Sequence, residues 1–345
     1  MAATVPAQKE DRVVFTCGPN GFSVRDIIDA AHFRGEIDRP WRDFLRRAAA
    51  EQRASETGAE AEGSAIDEAA VAFRYDYDLI TAEETEAWLE ARGLTLSDFS
   101  EYFARDYWGK THASRRAPDV AFIDGDAEQR GTFTTDLILS GELDRMATRL
   151  AWRVAARAAA KEISPPLATS APDWLQRIGR DEVWFNEMRE LEAAYEEVRE
   201  KVLTPEAIKR ELTSLRLPLT RLEVEMMELE SRHAANEALM CVRDDGMSMA
   251  EVAHEGRYPF RRTEMLLEEV QADQQQMFLS LTTGSILDPI PREDGFVLSR
   301  LLAKHEPNVE DPQVRARIED RILQRHFTDL TSGRIQWPLR PGAPA

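Results

Sequence analysis

The chain has 345 residues, 43% hydrophobic and 31% charged, with a formal net charge of −19. That length holds two or three domains with a substantial core, and the acidic field excludes nucleic acid and anionic membrane as partners because both repel it. No run reaches the roughly 18 consecutive apolar residues of a membrane helix, and the start, MAATVPAQKEDR, lacks the basic-then-apolar build of a secretory leader.

Residues 11–17 (DRVVFTC) predict a short strand, and Pro19-Asn20-Gly21 a turn. Ser23 fits a helix N-cap with Asp26 three residues on, and Val24, Ile27, Ile28 and Ala31 follow at helical spacing. Trp41, Phe44 and Leu45 mark another helix. The small, polar stretch 54–65 (ASETGAEAEGSA) reads as a mobile loop. Thr81 and Glu84 form a capping-box pattern whose helix runs through Trp88 and Leu89 and stops at Gly93. Phe99, Phe103 and Tyr107 place a further helix.

Residues 109–135 read as irregular, with a basic spot at Arg115 and Arg116. Leu139, Leu143, Met146, Leu150 and Val154 then form one face of a helix ending near Ile163. Ser164-Pro165-Pro166 is a linker signal. Trp184, Met188, Leu191, Tyr195, Val198 and Val202 predict a second long amphipathic helix, and Thr204-Pro205 a helix start.

The character changes at Leu217-Pro218. In TRLEVEMMELE (220–230), Leu222, Val224 and Met226 alternate with Glu223 and Glu225, the pattern of a half-buried strand. Residues 234–242 are helical, Ser248 caps a short helix, and 261–281 read as mostly helical. Two short strands follow, one through Ile286–Ile290 and one from Gly295 to Ala303. A helix begins at Asp311-Pro312 and carries Val314, Ile318, Ile322, Leu323, Phe327 and Leu330. RIQWPLRPGAPA forms a short strand and a loose tail.

The stretch QMFLSLTTGSILDPIPREDGFVLSRLLAK (276–304) resembles the C-terminal half of a parvulin-type peptidyl-prolyl isomerase domain: a short helix into a Gly turn, a Pro-containing strand, then a Gly-aromatic strand. The helices of the type ITAEETEAWLEARGLTLSDFSEYF resemble the helical module of SurA-like and trigger-factor-like foldases. The segments LTRLEVEMMELESRHAANEALMCVRDDGMSMAEVA and GFVLSRLLAKHEPNVEDPQVRARIEDRILQRHF are similar to PpiC-related proteins of bacterial peptide-maturation systems. The resemblance implies an α+β fold. A mainly helical chaperone-like module spans 1–210, a small parvulin-like sheet-and-helix domain spans 218–304, and residues 305–345 provide a C-terminal helix that packs on the N-terminal module, and a tail.

The family's chemistry does not carry over. Its first-strand histidine has no counterpart in 221–230, since His233 lies beyond the strand. Its second histidine falls at Val297, two residues after Gly295. HEGRYPFRRTEM stands where the family has a Gly-Gly-Asp-Leu-Gly-like segment. Counting back from Gly284 puts Val270, Gln274 and Leu279 at the family's Met and two Phe positions, and polar Gln274 would spoil an apolar proline slot. The resemblance thus implies a peptide site at Met226, Val270, Gln274, Leu279 and Val297 with no catalytic residues.

Other patterns read as structural. Met226, Met227, Met240, Met247, Met249, Met265 and Met277 are mostly core filler, though soft side chains also suit a peptide surface. His254-Glu255 and His305-Glu306 read as solvated dipeptides rather than metal or acid–base pairs. The Arg315, Arg317, Arg321 and Arg325 series is a charged helix face. Helices over 81–107 do not read as a DNA-binding pair, given the acidic balance and the aromatic second helix. Cys17 and Cys241 are far apart and lack metal-ligand spacing, which fits a reducing cytoplasm. No Gly-rich phosphate loop, HExxH or GxSxG occurs, so no cofactor and no metal is expected.

The sequence therefore leads to a cytoplasmic, non-catalytic, parvulin-like peptide-binding foldase, chaperone or accessory protein of a peptide-maturation system. Its partner would be a peptide or protein client. Two other readings stay open: an active prolyl isomerase with a rebuilt site, and a structural subunit of a larger assembly.

Overall fold

Ser23 caps the first helix as its spacing to Asp26 predicts: the Asp26 amide donates to Ser23 Oγ, and the Ser23 amide donates to the Asp26 carboxylate. This local device sits in a computed structural model that describes residues 9–112, 119–160, 170–292 and 295–339. Arg115, Arg116, the Ser164-Pro165-Pro166 signal and the tail beyond 339 lie outside the described residues. The fold is α+β and mostly helical, with small antiparallel sheets. The chain divides into two units, Met1–Glu200 with His326–Ala345, and Lys201–Arg325.

The first unit opens with a hairpin, β1 (Val13–Cys17) and β2 (Asn20–Ser23), followed by α1 (Val24–Phe33), α2 (Asp38–Thr57) and α3 (Gly63–Asp76). Next come α4 (Ala82–Ala91), α5 (Leu96–Thr111), α6 (Ala127–Leu139), α7 (Glu142–Ala159), α8 (Trp174–Arg177) and α9 (Glu182–Val202). Thr81 with Glu84 and Thr95 with Asp98 form capping boxes, each satisfying donors that a bare helix start would leave open. Trp41, Phe15, Ile27, Phe133, Leu137 and Leu150 are the centre of the apolar core.

Two expectations fail here. The loop over 54–65 shrinks to 58–62, because Gly58 adopts φ +64° and ends α2 only after Thr57, while α3 begins at Gly63. Its small residues are helix-compatible, and Ala54 is buried against Trp108. The stretch 109–135 is helical to Thr111 and again from Ala127, where Asp126 and Gln129 form a capping box.

The second unit holds α10 (Pro205–Ser214), β3 (Arg221–Leu229), α11 (Arg232–Arg243), α12 (Met249–Gly256), β4 (Phe260–Leu266), α13 (Ala272–Ser280), β5 (Ile290–Arg292), β6 (Gly295–His305) and most of α14 (Pro312–Thr331). The strands form an antiparallel sheet in the order β4-β3-β6-β5. Met226 lies opposite Arg261 on one side and Ser299 on the other, and Val297 lies between Glu228 and Ile290. Leu222, Val224 and Met226 face one apolar cluster with Val270, Phe278 and Val297. Met227 and Leu229 face a second, with α11 and α12. The strand expected to be half-buried thus buries side chains on both faces, at Met226 on one and at Met227 and Leu229 on the other, while Glu228 stays exposed.

The expected helix over 261–281 is replaced by β4, a short 3-10 turn and α13. FRRTEML conceals its strand because, among the described residues, it is paired on one edge and its side chains are mostly exposed, so no apolar alternation marks it. The Pro-containing strand is also shifted: Ile286 makes an isolated bridge to Arg300, and β5 begins at Ile290.

α14 divides its apolar stripe. Val314, Ile318 and Ile322 pack with Ile208, Leu215, Leu219 and Leu266 in the second unit. Phe327 belongs to the first, where β7 (Ile335–Gln336) pairs with β1 to give a sheet ordered β2-β1-β7.

Candidate functional site

On the sheet of the second unit a groove of about 850 Å³ opens at the C-terminal end of β3. Met226 and Val297 form its apolar floor, at 9% and 6% exposure. Pro259, Pro291 and Phe296 add apolar walls, while Glu228, Glu230, Arg261, Gln271 and Arg292 give it a polar rim. Cross-strand register builds this arrangement. Antiparallel partners share a face, so Arg261, Met226, Glu228 and Val297 project together. Arg261 Nη1 lies 3.6 Å from Glu228 Oε1 and its other terminal nitrogen 3.9 Å from Met226 Sδ.

Gly295 sets the start of β6 beside the groove. Its φ is +143°, and a Cβ there would lie 2.3 Å from the Leu229 carbonyl oxygen. Only glycine admits this approach of β6 to β3.

Of the five residues expected to hold a peptide, Met226 and Val297 line the groove and Val270 lies in the apolar cluster beneath it. Gln274 is buried at 6% exposure, and its amide donates to Gln271 Oε1 at 3.0 Å, so a polar residue at this position is satisfied locally. Leu279 is 37% exposed and does not line the groove. Its carbonyl accepts from Lys304 Nζ at 2.7 Å. Sequence reasoning missed Glu228, Glu230, Arg261 and Gln271. The first two follow from the alternation of β3 once the face of Met226 is known; Arg261 needs β4, which the sequence hid.

Among the described residues, no histidine lines the groove. His233 sits in the first turn of α11 and His254 near the end of α12, while His305 ends β6 with Nε2 3.9 Å from Glu223 Oε2. The floor residues Met226 and Val297 carry no group able to take or give a proton, while the rim adds the carboxylates of Glu228 and Glu230, so the floor grips by apolar contact and the rim by hydrogen bonds. Among the described residues, no set of three or more His, Cys, Asp or Glu is placed to hold a metal ion.

A second groove, about 760 Å³, lies within the first unit. Leu150 and Val154 of α7 face Trp184, Met188 and Leu191 of α9 across it, with Phe22 of the hairpin at one end. Arg157 and Glu190 pair at its rim at 3.4 Å. Asp26, also at its edge, would be raised by burial alone, but hydrogen bonds from Ser23 and Arg180 hold its carboxyl below the ordinary value.

No family model and no curated protein matches the chain. Solved structures similar to it include a peptidylprolyl isomerase, PrsA, from Bacillus cereus, at 14% identity and a TM-score of 0.33, covering 57% of this chain and 84% of that one. The foldase protein PrsA from Streptococcus pneumoniae is 13% identical with a TM-score of 0.29, covering 92% and 87%. A SurA-like chaperone structure from Campylobacter jejuni is 9% identical with a TM-score of 0.20, covering 94% and 98%.

Proposed function

We propose that the chain is a non-catalytic peptide-binding foldase or chaperone that holds an extended client segment in the groove of its second unit. The observation that carries this reading is the groove itself: a floor of Met226 and Val297, apolar walls, a polar rim and no histidine. An apolar client side chain seated on that floor would gain roughly 1.5–3 kcal/mol from burial. Gln271 and Arg292 at the rim supply donors for main-chain carbonyls of the segment, the pattern by which extended peptides are read against sheets. We place the protein in the cytoplasm and in a peptide-maturation system. The first rests on Cys17 and Cys241, both free thiols, and the second on the sequence resemblance alone.

The test is binding of labelled extended, proline-containing peptides to the full chain, measured by calorimetry, beside a Val297→Glu variant whose fold is checked by circular dichroism. Binding to the native chain with at least tenfold loss in the folded variant supports the groove. Undiminished binding moves the site to the groove between α7 and α9, whose apolar walls favour it as the second reading. A chain that binds no peptide and co-purifies at fixed stoichiometry with other subunits is a structural component instead.

A further inference from the structure

β4 has hydrogen-bonded strand contacts on one side only: β3 is its neighbour, and among the described residues no strand pairs with its outer edge. The strand is seven residues long, and its residues are exposed or half-exposed up to Leu266. An edge of that length is a template for another strand, and proteins commonly guard such edges with charge. Guarding by charge works by repulsion between like groups. The charges on β4 do something else when the strand meets a second copy of itself.

In an antiparallel pair of two β4 strands centred on Thr263, Arg262 of each copy lies opposite Glu264 of the other, so opposite charges meet at both symmetric positions. Arg261 lies opposite Met265, and Thr263 opposite Thr263. Both charged side chains are accessible, Arg262 at 61% and Glu264 at 54%. Their present partners, Glu223 and Arg221, sit on β3, the adjacent strand within the sheet. Directly opposed unlike charges stabilise antiparallel pairs and like charges destabilise them. A two-fold edge-to-edge contact is self-complementary by construction, and this charge order is the one that satisfies it.

We propose that the outer edge of β4 is a self-association surface, on which a second copy of this chain docks antiparallel about Thr263 and joins two four-stranded sheets into one.

Sedimentation velocity across a concentration series, on the full chain, tests this. The native protein should show a monomer–dimer equilibrium. Arg262→Glu and Glu264→Arg should each weaken the dimer at least tenfold, because each sets two like-charge contacts across the two-fold axis. An equimolar mixture of the two variants should form a heterodimer, since every opposed pair is then complementary again, and the double variant should regain the native behaviour. Circular dichroism establishes that each variant is folded. Should either single variant fail to fold, Thr263→Cys in a chain with Cys17→Ala and Cys241→Ala replaces it as the readout, forming an intermolecular disulfide across the axis under mild oxidation. A native chain that stays monomeric overturns the proposal. So do folded single variants that remain dimeric, a mixture of folded variants that stays monomeric, or an uncross-linked Thr263→Cys chain.

Discussion

The ring of Phe327 lies parallel to the indole of Trp152, with centroids 5.0 Å apart and planes 9° apart, and Tyr195 stacks near it at 5.4 Å. Phe327 is fully buried, and it brings the C-terminal end of the chain into the core of a unit otherwise built from the first 200 residues. Nearby in sequence, Ile335 pairs with Cys17 and Trp337 packs on Phe15 at 5.3 Å. The first unit is therefore complete only after the last strand is made. Phe327→Ala should lower stability by about 3–5 kcal/mol, read in urea unfolding followed by tryptophan fluorescence. Removal of residues 326–345 should lower the melting temperature of this unit further. An unchanged midpoint in both would mean that the ring stack carries no stability.

His32 should make the first unit acid-sensitive. Both ring nitrogens are buried and have no hydrogen-bond partner among the described residues, and the ring sits 4.9 Å from Trp174 and 5.6 Å from Phe122. Burial lowers its pKa from the ordinary value near 6.5, and Asp38 only partly opposes this. The unfolded chain therefore takes the proton first. The stability contribution is complete above about pH 6.5 and is lost as pH falls through that value toward the folded pKa. His32→Phe should flatten this limb of the stability–pH curve. A native curve with no slope below pH 6.5 would refute the assignment.

Asp136 is almost fully buried, at 1% exposure, and takes Arg105 at 2.9 Å and Arg47 at 3.2 Å. Burial raises its pKa while the two guanidinium groups pull it down. Asp136→Asn removes the carboxylate that buried Arg105 holds at 2.9 Å and leaves it the more exposed Glu101 at 4.0 Å, and should cost about 3–5 kcal/mol. Pairing it with Arg105→Met should recover much of that loss. If the double variant is no more stable than the single one, the cost lies in packing rather than in the stranded charge.

Gly295→Ala should disturb β6. The added Cβ would meet the Leu229 carbonyl, and a residue with a side chain at φ +143° is itself strained by about 1–3 kcal/mol. Amide exchange should quicken at Phe296, Val297 and Leu298. Unchanged protection there would show that β6 can shift without cost.

Without histidine at the groove, exchange of Xaa-Pro bonds in short peptides should stay at its uncatalysed pace of tens of seconds or longer. Protease-free exchange NMR measures this directly. Acceleration abolished by substitutions between residues 220 and 300 would reverse the non-catalytic reading.

Much of this molecule is written locally. The capping pairs Ser23–Asp26 and Thr81–Glu84, the stripes of α7 and α9, the alternation of β3 and the Gly-aromatic start of β6 are all set by near neighbours. Hydrogen-bond geometry within one turn, or side-chain period within one strand, is enough to read them. What the tertiary structure decided is where a segment's environment comes from distant chain. FRRTEML became a strand because β3 offered it an edge, and its own side chains carry no apolar period to announce that. Gln274, an intruder in the sequence, is buried because Gln271 accepts its hydrogen bond, while Leu279 turned outward from the groove. The rim of Glu228, Arg261 and Gln271 exists only once register sets three separate segments side by side. The α14 stripe read as one surface, yet its early residues found a core in the second unit and Phe327 found one in the first. Periodicity specifies that an apolar face must be covered, and only the folded chain specifies by what.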